Sequence, residues 1–395
     1  MITTGVTGSQ WRASITPWGG LVPWEGPPLD WYVAADDRWH VPAHEPAVRQ
    51  VRLDGTPVTE TRVRVPHGDV VQRIYSVAEG CTIVEVENES TLPVAIAFDR
   101  RDVLTERPIA SVPIEGIELP ESSFVLPLGH RATLRIGIPH RASAGGRLPD
   151  GLPTARSVVR GWTLLTDRAG RFVLPEGGHG ASLAERVVSE RCEIALGSLP
   201  TAADDPAGFC VALGELVRMG EPPSQWLPEL VDAVAAVGPE PGWRAGVALD
   251  AADRVLAAAG EHRARRDLSR IGSKRARSLP PPEPPDDRFV IPWIERSLVD
   301  GGALFPYGLP AGWAGAPVEA HGLPTVGRST VSFAVRWHGA RPAVLWEQAG
   351  DPVALTSPVL APDWSSDEPR GETLWPVPPG ATSFVVPSDD PVSFA

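Results

Sequence analysis

Hydrophobic and polar residues alternate with a period of two between about residues 51 and 140. The clearest segment is 132–138, in which every second residue is apolar and falls on one side of an extended chain. Turn-forming Pro, Gly, Asn and Ser residues separate the alternating segments. Regularly spaced short strands of this kind predict an antiparallel β-sandwich. The predicted strands are 58–65, 70–77, 82–87, 92–98 and 132–138.

Between about residues 154 and 272 the hydrophobic period lengthens to that of an α-helix. About six helices with short loops fit this region, and short loops favour antiparallel helical hairpins. Asp205 followed by Pro206 is typical of a helix start, and Gly220 of its end. Ser182 and Glu185 match a capping box, in which each side chain satisfies a free backbone amide at the start of a helix.

A proline-rich stretch at 279–287 predicts an extended linker, because each proline restricts both itself and the residue before it. A helix is predicted beyond it at 289–299. Alternating segments then return and predict a C-terminal antiparallel meander. Its strands are 330–337, 342–347, 353–356, 372–375 and 383–386.

These patterns together predict an α+β multidomain fold, with an antiparallel β-sandwich, a helical-hairpin middle section and a C-terminal antiparallel β-meander. Whether the C-terminal sheet is independent or completes the N-terminal sandwich stays open at this stage. The predicted segments are 1–150 (aromatic arm and sandwich), 151–278 (helical hairpins), 279–288 (linker) and 289–395 (helix and meander).

Composition excludes several classes of protein. The 395 residues carry 36 Lys and Arg against 49 Asp and Glu, a net charge of −13, so a general nucleic-acid binder is disfavoured. No apolar run approaches the length of a membrane span. The first residues lack the pattern of a secretory signal, so we expect a cytoplasmic protein whose three cysteines are buried free thiols.

Motifs for cofactor chemistry are missing from the sequence. There is no phosphate-binding loop, no Cys-x-x-Cys, no His-Glu-x-x-His and no nucleophile elbow. Asp363–Asp367 starts like a calcium loop, but Glu368 stands where that loop needs glycine. The histidines are scattered, and the close pair His40 and His44 lacks a third ligand nearby. We therefore predict no cofactor and no metal.

Aromatic residues and carboxylates suggest a carbohydrate site. Five of the 14 Trp residues lie in the first 39 residues, among prolines and glycines, and this arm is predicted to run in extended form over a domain surface. Sugar sites combine flat aromatic faces with carboxylates that bind hydroxyl groups. The alternative is that the Trp residues are core anchors and that Asp37 pairs with Arg38. The candidate ligand-binding residues are Trp24, Trp31, Asp36, Asp37, Trp313 and Glu319.

A basic run occupies 263–277, where seven basic residues accompany one acidic residue. It is a candidate docking element for an acidic partner or a phosphate. The alternative is a solvated final helix, since no aromatic residues are interleaved for stacking on bases. The predicted contact residues for a protein partner are Arg263, Arg265, Arg266 and Arg270.

The order of parts resembles the front half of six-hairpin, glucoamylase-like glycoside hydrolases. The resemblance rests on an N-terminal sandwich, a Trp-bearing helix at 160–165, a loop ending at Leu174-Pro175, and helical hairpins from near Ser182. It covers about residues 50–270. In that family the sandwich packs against a toroid of twelve helices, and two carboxylates at its mouth act as acid and base.

This chain departs from the family in length. Twelve helices with their loops need on the order of 300 residues, whereas about 120 separate Thr154 from the proline-rich linker. No residue therefore inherits a catalytic role, and Glu215 remains a carboxylate on a helix. The resemblance then implies a shortened relative, either a binding protein or an enzyme whose site is rebuilt elsewhere.

Two functions remain as expectations. The first is a glycosidase-like scaffold that binds or processes a carbohydrate, with catalysis not argued by any residue. The second is a non-catalytic structural or regulatory module that binds a protein partner. An acid/base enzyme would need two carboxyl groups about 5–10 Å apart.

Overall fold

The structure is a computed structural model, and it describes residues 1–109, 113–141, 144–237, 242–272, 278–326 and 329–378. It divides into two compact units. The first comprises Met1–Leu164 and Ala195–Gly197, and the second comprises Leu165–Ile194 and Ser198–Ala395. The helical region and the C-terminal sheets, which the sequence separates by a linker, therefore belong to one unit.

The first unit is built mainly of antiparallel strands, with one helix, α1 (Ala155–Thr166), near its end. Its strands are β1 (Ile2–Gly5), β2 (Arg12–Ile15), β3 (Leu21–Pro23), β4 (Trp31–Ala35), β5 (Arg38–His40), β6 (Arg49–Arg52), β7 (Thr59–Val65), β8 (Gly68–Val77), β9 (Cys81–Asn88), β10 (Val94–Phe98), β11 (Leu104–Thr105), β12 (Phe124–Leu128), β13 (Thr133–Pro139) and β14 (Gly146–Arg147).

These strands form a sandwich, as the alternation predicts. The seven-stranded sheet has the order β14-β11-β13-β9-β8-β7-β6 and the four-stranded sheet the order β12-β10-β4-β5. One hydrophobic core joins residues of both sheets, among them Ile96 and Phe98 of the small sheet and Val84 and Ile136 of the large one. The second face of the large sheet packs against Ala155 and Val159 of α1.

The aromatic arm differs from the prediction because it is folded into strands. β1, β2 and β3 form a sheet of their own, and β4 and β5 belong to the sandwich. Trp31 of β4 lies inside the sandwich core. Frequent prolines and glycines hide the strand period in the sequence, since each strand here spans only three to five residues.

The second unit combines helices with two further sheets. Its helices are α2 (Gly180–Ala195), α3 (Pro206–Met219), α4 (Leu227–Val237), α5 (Trp243–Ala258), α6 (His262–Gly272) and α7 (Val290–Leu298). Its strands are β15 (Arg171–Val173), β16 (Val299–Asp300), β17 (Ala303–Leu304), β18 (Val318–Pro324), β19 (Thr330–His338), β20 (Arg341–Ala349), β21 (Leu355–Ser357), β22 (Ala361–Ser366) and β23 (Arg370–Leu374).

The two C-terminal sheets have the orders β15-β18-β19-β20-β23 and β16-β17-β21-β22. Among the described residues, both are made only of strands of the second unit. In β19, Val331, Phe333 and Val335 are buried, which confirms the predicted alternation. The predicted strand 383–386 lies outside the described residues.

Of the two predicted helix starts, the one at Asp205 is confirmed and the one at Ser182 is wrong. Asp205 caps α3 through its side chain, which accepts a hydrogen bond from the Gly208 amide at 2.8 Å, and Gly220 ends the helix in the left-handed conformation. Ser182 does not form the predicted capping box. It lies inside α2, which begins at Gly180, and its hydroxyl donates to the carbonyl of His179 at 2.8 Å.

The helical core lies where α3 and α4 pack with α5 and α6. At Gly214 a side-chain methyl would sit 3.1 Å from Cβ of Ala251, so a glycine permits the close approach of α3 to α5. The proline-rich segment forms neither helix nor strand, as predicted. Its carbonyls are held by side chains, including Trp293, whose indole donates to Pro281 at 2.9 Å.

Candidate functional site

A groove with a cavity volume of about 910 Å³ opens on the first unit. Four chain segments form it: the loop 6–11 between β1 and β2, Trp24 and Glu25 directly after β3, the β8–β9 turn at 78–80, and the residues after β13 up to Arg141. We call it the Trp24 groove. Its volume falls within the range of small-molecule sites, about 300–1,000 Å³.

Arg12 positions the loop 6–11. Its buried guanidinium donates to the carbonyls of Ser9 at 2.7 Å, Trp11 at 2.8 Å and Val6 at 3.2 Å. Nε of the same side chain donates to the carbonyl of Leu196 at 2.6 Å. Because one side chain satisfies four carbonyls, the loop has a defined conformation and its rim residues, including Trp11, are held in place.

Trp11 and His140 stack against each other at the groove, with ring centroids 4.0 Å apart and an angle of 12° between planes. Nε2 of His140 shares a hydrogen bond with the Thr82 hydroxyl at 3.0 Å. Thr82 bonds in turn to Ser76 at 2.7 Å. Burial, and secondarily the charge of Arg12, lower the pKa of His140 to about 4. The imidazole is therefore neutral at pH 7 and stacks as an uncharged ring.

Trp24 presents the main exposed aromatic face of the groove. Its backbone amide donates to the Arg12 carbonyl at 3.0 Å, which fixes the backbone, while the side chain is 63% exposed. Its neighbours Leu21 and Pro23 are buried. A large indole left in solvent on an ordered backbone is typical of a residue that meets a ligand or a partner.

Polar groups surround this indole without partners of their own. Glu25 and Glu79 are exposed and line the groove, together with Gln10 and Arg141. None of the four has a hydrogen-bond or ion-pair partner in the described ranges. Two free carboxylates, an amide and a guanidinium are groups that accept from and donate to hydroxyls.

The predicted aromatic candidates separate into exposed and buried residues. Trp24 lines the groove, whereas Trp31 is 1% exposed and Trp313 is 0% exposed. The indole of Trp31 donates to the Trp18 carbonyl at 2.9 Å within the sandwich. Neither buried ring is available for stacking on a ligand, contrary to the prediction, because both anchor hydrophobic cores.

The predicted carboxylates do not lie in the Trp24 groove. Asp36 and Asp37 form the exposed turn between β4 and β5, with φ of 53° and 56°. Short polar side chains tolerate this left-handed conformation, which a tight hairpin requires. Arg38 pairs with Glu45 at 2.9 Å rather than with Asp37. The two aspartates therefore have a turn-forming role.

Glu319 lies on β18 in the second unit and is engaged by two basic neighbours. It forms a salt bridge with Arg336, and its carboxylate is 3.4 Å from Nε2 of His321. The hydrogen bond from Arg336, followed by that from His321, lowers the pKa of Glu319. A carboxylate held ionised in this way is unsuited to act as a general acid.

The basic run is partly neutralised within its own unit. Arg265 forms two bonds to Asp253, at 2.9 and 2.8 Å, and Arg270 pairs with Asp267 at 3.1 Å. Arg263 and Arg266 are exposed. The basic residues 274, 275 and 277 of the run lie outside the described residues.

Sequence reasoning missed most of the groove. Trp11, His140, Glu25 and Glu79 come from four separate segments, and no spacing rule links them. Glu79 and Gly80 are recognisable only as a turn between two strands. The available signal was the concentration of aromatic residues in the first 39, which pointed to the right segment but not to the right tryptophans.

No group of three or more His, Cys, Asp or Glu side chains able to hold a metal occurs within the described ranges. No helix in those ranges is long and apolar enough to cross a membrane. Cys81, Cys192 and Cys210 are buried free thiols, as predicted, and burial raises the pKa of Cys210 to about 12.

The fold and the groove define an α+β protein of two units with a solvent-open aromatic and carboxylate site. No protein-family model matches the chain, and no curated protein matches it either.

Proposed function

We propose that the protein binds a carbohydrate in the Trp24 groove. The observation that carries this proposal is the exposed indole of Trp24 beside the unpartnered carboxylates of Glu25 and Glu79. The apolar face of a sugar ring packs against a flat aromatic surface. Carboxylates accept hydrogen bonds from adjacent hydroxyl groups on the ring edge.

The rest of the groove supports the same class of ligand. The Trp11–His140 stack offers a second aromatic wall that is rigid and, because His140 is neutral, uncharged. Gln10 and Arg141 add hydrogen-bond donors without a committed partner in the described residues. A rigid wall lowers the entropy lost on binding.

The glycoside hydrolase resemblance remains part of this proposal. A retaining or inverting glycosidase needs one carboxyl group as acid and a second as base or nucleophile. Glu25 and Glu79 are the carboxylates that line the groove, so they are the residues to test for processing of a bound glycoside. The proposal itself requires binding only.

A second candidate function is contact with a protein partner. Val22 and Trp24 are 39% and 63% exposed, whereas Leu21 and Pro23 between and beside them are buried. Trp24 directly follows β3 and its amide still bonds to β2 at the Arg12 carbonyl, so the alternation of the strand places its side chain on the same side as Val22. An exposed aliphatic and aromatic pair at a sheet edge is typical of interaction surfaces.

A sugar-binding screen tests the first function. Thermal shift and calorimetry are measured with a panel of mono- and oligosaccharides on wild type, W24A and L92A. Leu92 is 50% exposed in the same unit and does not line the groove, so L92A controls for loss of exposed apolar surface. A ligand at 100 times its Kd stabilises by about 2.7 kcal/mol.

We expect W24A to weaken sugar binding about tenfold or more and L92A to leave it unchanged. Absence of binding by every sugar in the panel would contradict the carbohydrate proposal. Equal weakening by W24A and L92A would also contradict it, since the groove would then not be the site.

A further inference from the structure

The second unit contains a cavity of about 670 Å³ formed by α5, α6 and the chain that follows β16 and β18. Asp250, Asp253 and Arg254 line it from α5, and Arg265 and Arg266 from α6. We call it the Arg254 cavity. It shares no residue with the Trp24 groove.

A buried ion network contributes the charge that makes this cavity unusual. Arg191 donates to Glu215 at 2.7 Å and to Glu295 at 3.1 Å. Arg218 is 2.6 Å from each of the same two carboxylates. All four side chains are buried or nearly so, and the two arginines balance the two glutamates.

Arg254 adds a third guanidinium to this balanced set. The negative charges of Glu295 and Glu215 act on it, but its Nε atom is buried and has no hydrogen-bond partner in the described residues. Burial, and secondarily the positive charge of Arg218, lower the pKa of Arg254. Nη2 of Arg218 is also buried without a partner there. The network thus has one more positive charge than it neutralises.

The two carboxylates that α5 contributes to the cavity wall are already held by other arginines. Asp253 is held by two bonds from Arg265, at 2.9 and 2.8 Å. Asp250 forms a salt bridge with Arg296, and its negative charge also acts on Arg254 without a hydrogen bond between them. Arg266 is exposed at the cavity and has no carboxylate partner in the described ranges. Two guanidiniums at one cavity, those of Arg254 and Arg266, therefore have no hydrogen-bonded carboxylate among the described residues.

We propose that the Arg254 cavity binds a small phosphate ester, with its phosphate on Arg254 and Arg266. A phosphate dianion matches two guanidiniums in charge and offers several acceptor oxygens for their planar donors. The hydroxyl of Thr325 lines the same cavity, is buried without a hydrogen-bond partner in the described residues, and is a further donor.

The organic part of the ester has room in the same cavity. Leu249, Leu268 and Val326 give it an apolar side, and Asp300 gives it an acceptor. A volume of about 670 Å³ is far larger than a lone phosphate needs and suits a phosphorylated sugar or polyol. Binding of an anion would neutralise the excess positive charge of the network. We therefore expect a bound anion to stabilise the protein more at this cavity than at an ordinary surface patch.

Calorimetry at constant ionic strength tests the proposal with glucose 6-phosphate, glycerol 3-phosphate, inorganic phosphate and glucose. The variants are R254Q, R266Q and R263Q. Arg263 is exposed on the same helix as Arg266 but does not line the cavity, so R263Q is the matched control for loss of positive charge. R266Q keeps the test informative if R254Q alters folding, because Arg266 is exposed.

We expect glucose 6-phosphate to bind and glucose not to bind at this site. R254Q and R266Q should each weaken glucose 6-phosphate binding about tenfold or more, and R263Q should leave it within about twofold. Failure of both esters to bind wild type would overturn the proposal. Equal weakening by R263Q and R266Q would also overturn it, because a nonspecific basic surface would then explain the binding. Equal affinity for inorganic phosphate and for glucose 6-phosphate would overturn it as well, because the organic part of the ester would then contribute nothing to binding.

The binding assays test the Arg254 cavity and the Trp24 groove separately. A protein that binds neutral sugars through Trp24 but no phosphate ester would overturn only the Arg254 proposal, and the reverse result would overturn only the carbohydrate proposal.

Discussion

The indole of Trp11 lies almost parallel to the imidazole of His140, with ring centroids 4.0 Å apart and planes 12° apart. The two residues are 129 positions apart in the sequence. This stack forms one wall of the Trp24 groove and places a titratable ring there in its neutral form. The stability of the first unit should therefore depend on pH through His140.

Lowering the pH from about 6.5 to about 4 should destabilise the protein through His140, whose pKa falls from 6.5 to about 4 on folding. In this window the unfolded chain binds a proton that the folded ring does not, so the free energy of unfolding falls as pH falls. Allowing for the partial exposure of the ring, we expect a loss of about 1 kcal/mol.

Urea unfolding at several pH values measures this effect in wild type, H140Q and H67N. His67 is exposed in the β7–β8 turn, and asparagine tolerates its φ of 64°, so H67N is the control. The pH slope should become shallower in H140Q and stay unchanged in H67N. Identical slopes in all three proteins would show that His140 does not carry the effect.

Two tryptophans of the aromatic arm should respond oppositely to truncation. W31A should lower the free energy of unfolding by about 3–5 kcal/mol, because it opens a cavity in the sandwich core. W24A should change it by less than about 0.5 kcal/mol, since the side chain is exposed. Circular dichroism during urea unfolding compares the two. A large loss in W24A would mean that its indole packs within the fold rather than serving the groove.

Removing one negative charge from the buried network should be costly. E295Q keeps the side-chain shape but leaves Arg191, Arg218 and Arg254 facing the single carboxylate of Glu215. Breaking a buried pair in this way destabilises by about 3–5 kcal/mol. Thermal unfolding measures the loss, and E229Q, at an exposed position of α4, should stay within about 0.5 kcal/mol.

The same network allows a double-variant test. R254Q removes the excess guanidinium, so E295Q with R254Q should be more stable than E295Q alone. If the two losses simply add, the charge of Arg254 is not coupled to the network, and the electrostatic account of the cavity loses its basis.

Capping of α3 gives a prediction on local stability. D205A removes the acceptor for the Gly208 amide and should lower the free energy of unfolding by about 1 kcal/mol. D232A, at an exposed interior position of α4, should have a much smaller effect. Chemical denaturation compares them. Equal losses in D205A and D232A would show that the cap contributes nothing specific.

Much of the fold was predictable because it depends on local patterns. Five of the eleven sandwich strands, the six helices of the middle region and the helix after the prolines all follow from the spacing of apolar residues within a single segment. Where prolines and glycines interrupt that spacing, as in the first 40 residues, the strands were not recognised. The Ser182 motif failed because a preceding turn at Gly177–His179 leads directly into α2 at Gly180, three residues before the first helical position that the motif implies.

The sites depend on contacts between distant segments, which no local pattern encodes. Trp24 and Trp31 are seven positions apart and both lie among prolines and glycines. Nevertheless, the side chain of Trp24 is 63% exposed and that of Trp31 is 1% exposed. Only the pairing of β4 with β10 puts Trp31 inside the sandwich. The Arg254 cavity likewise needs α5 packed beside α6, with the network of Arg191, Glu215 and Glu295 behind it.

The sequence by itself determined the class of fold, the helices, several of the longer strands, the free thiols and the concentration of aromatic residues at the N-terminal end. Tertiary structure alone decided which aromatic rings face solvent, which carboxylates stay unpaired and which arginine lacks a counter-charge. The physical reason is that the spacing of apolar residues indicates only which face of one helix or strand is buried. The exposure of a ring and the charge balance at a site depend on side chains that several distant elements bring together.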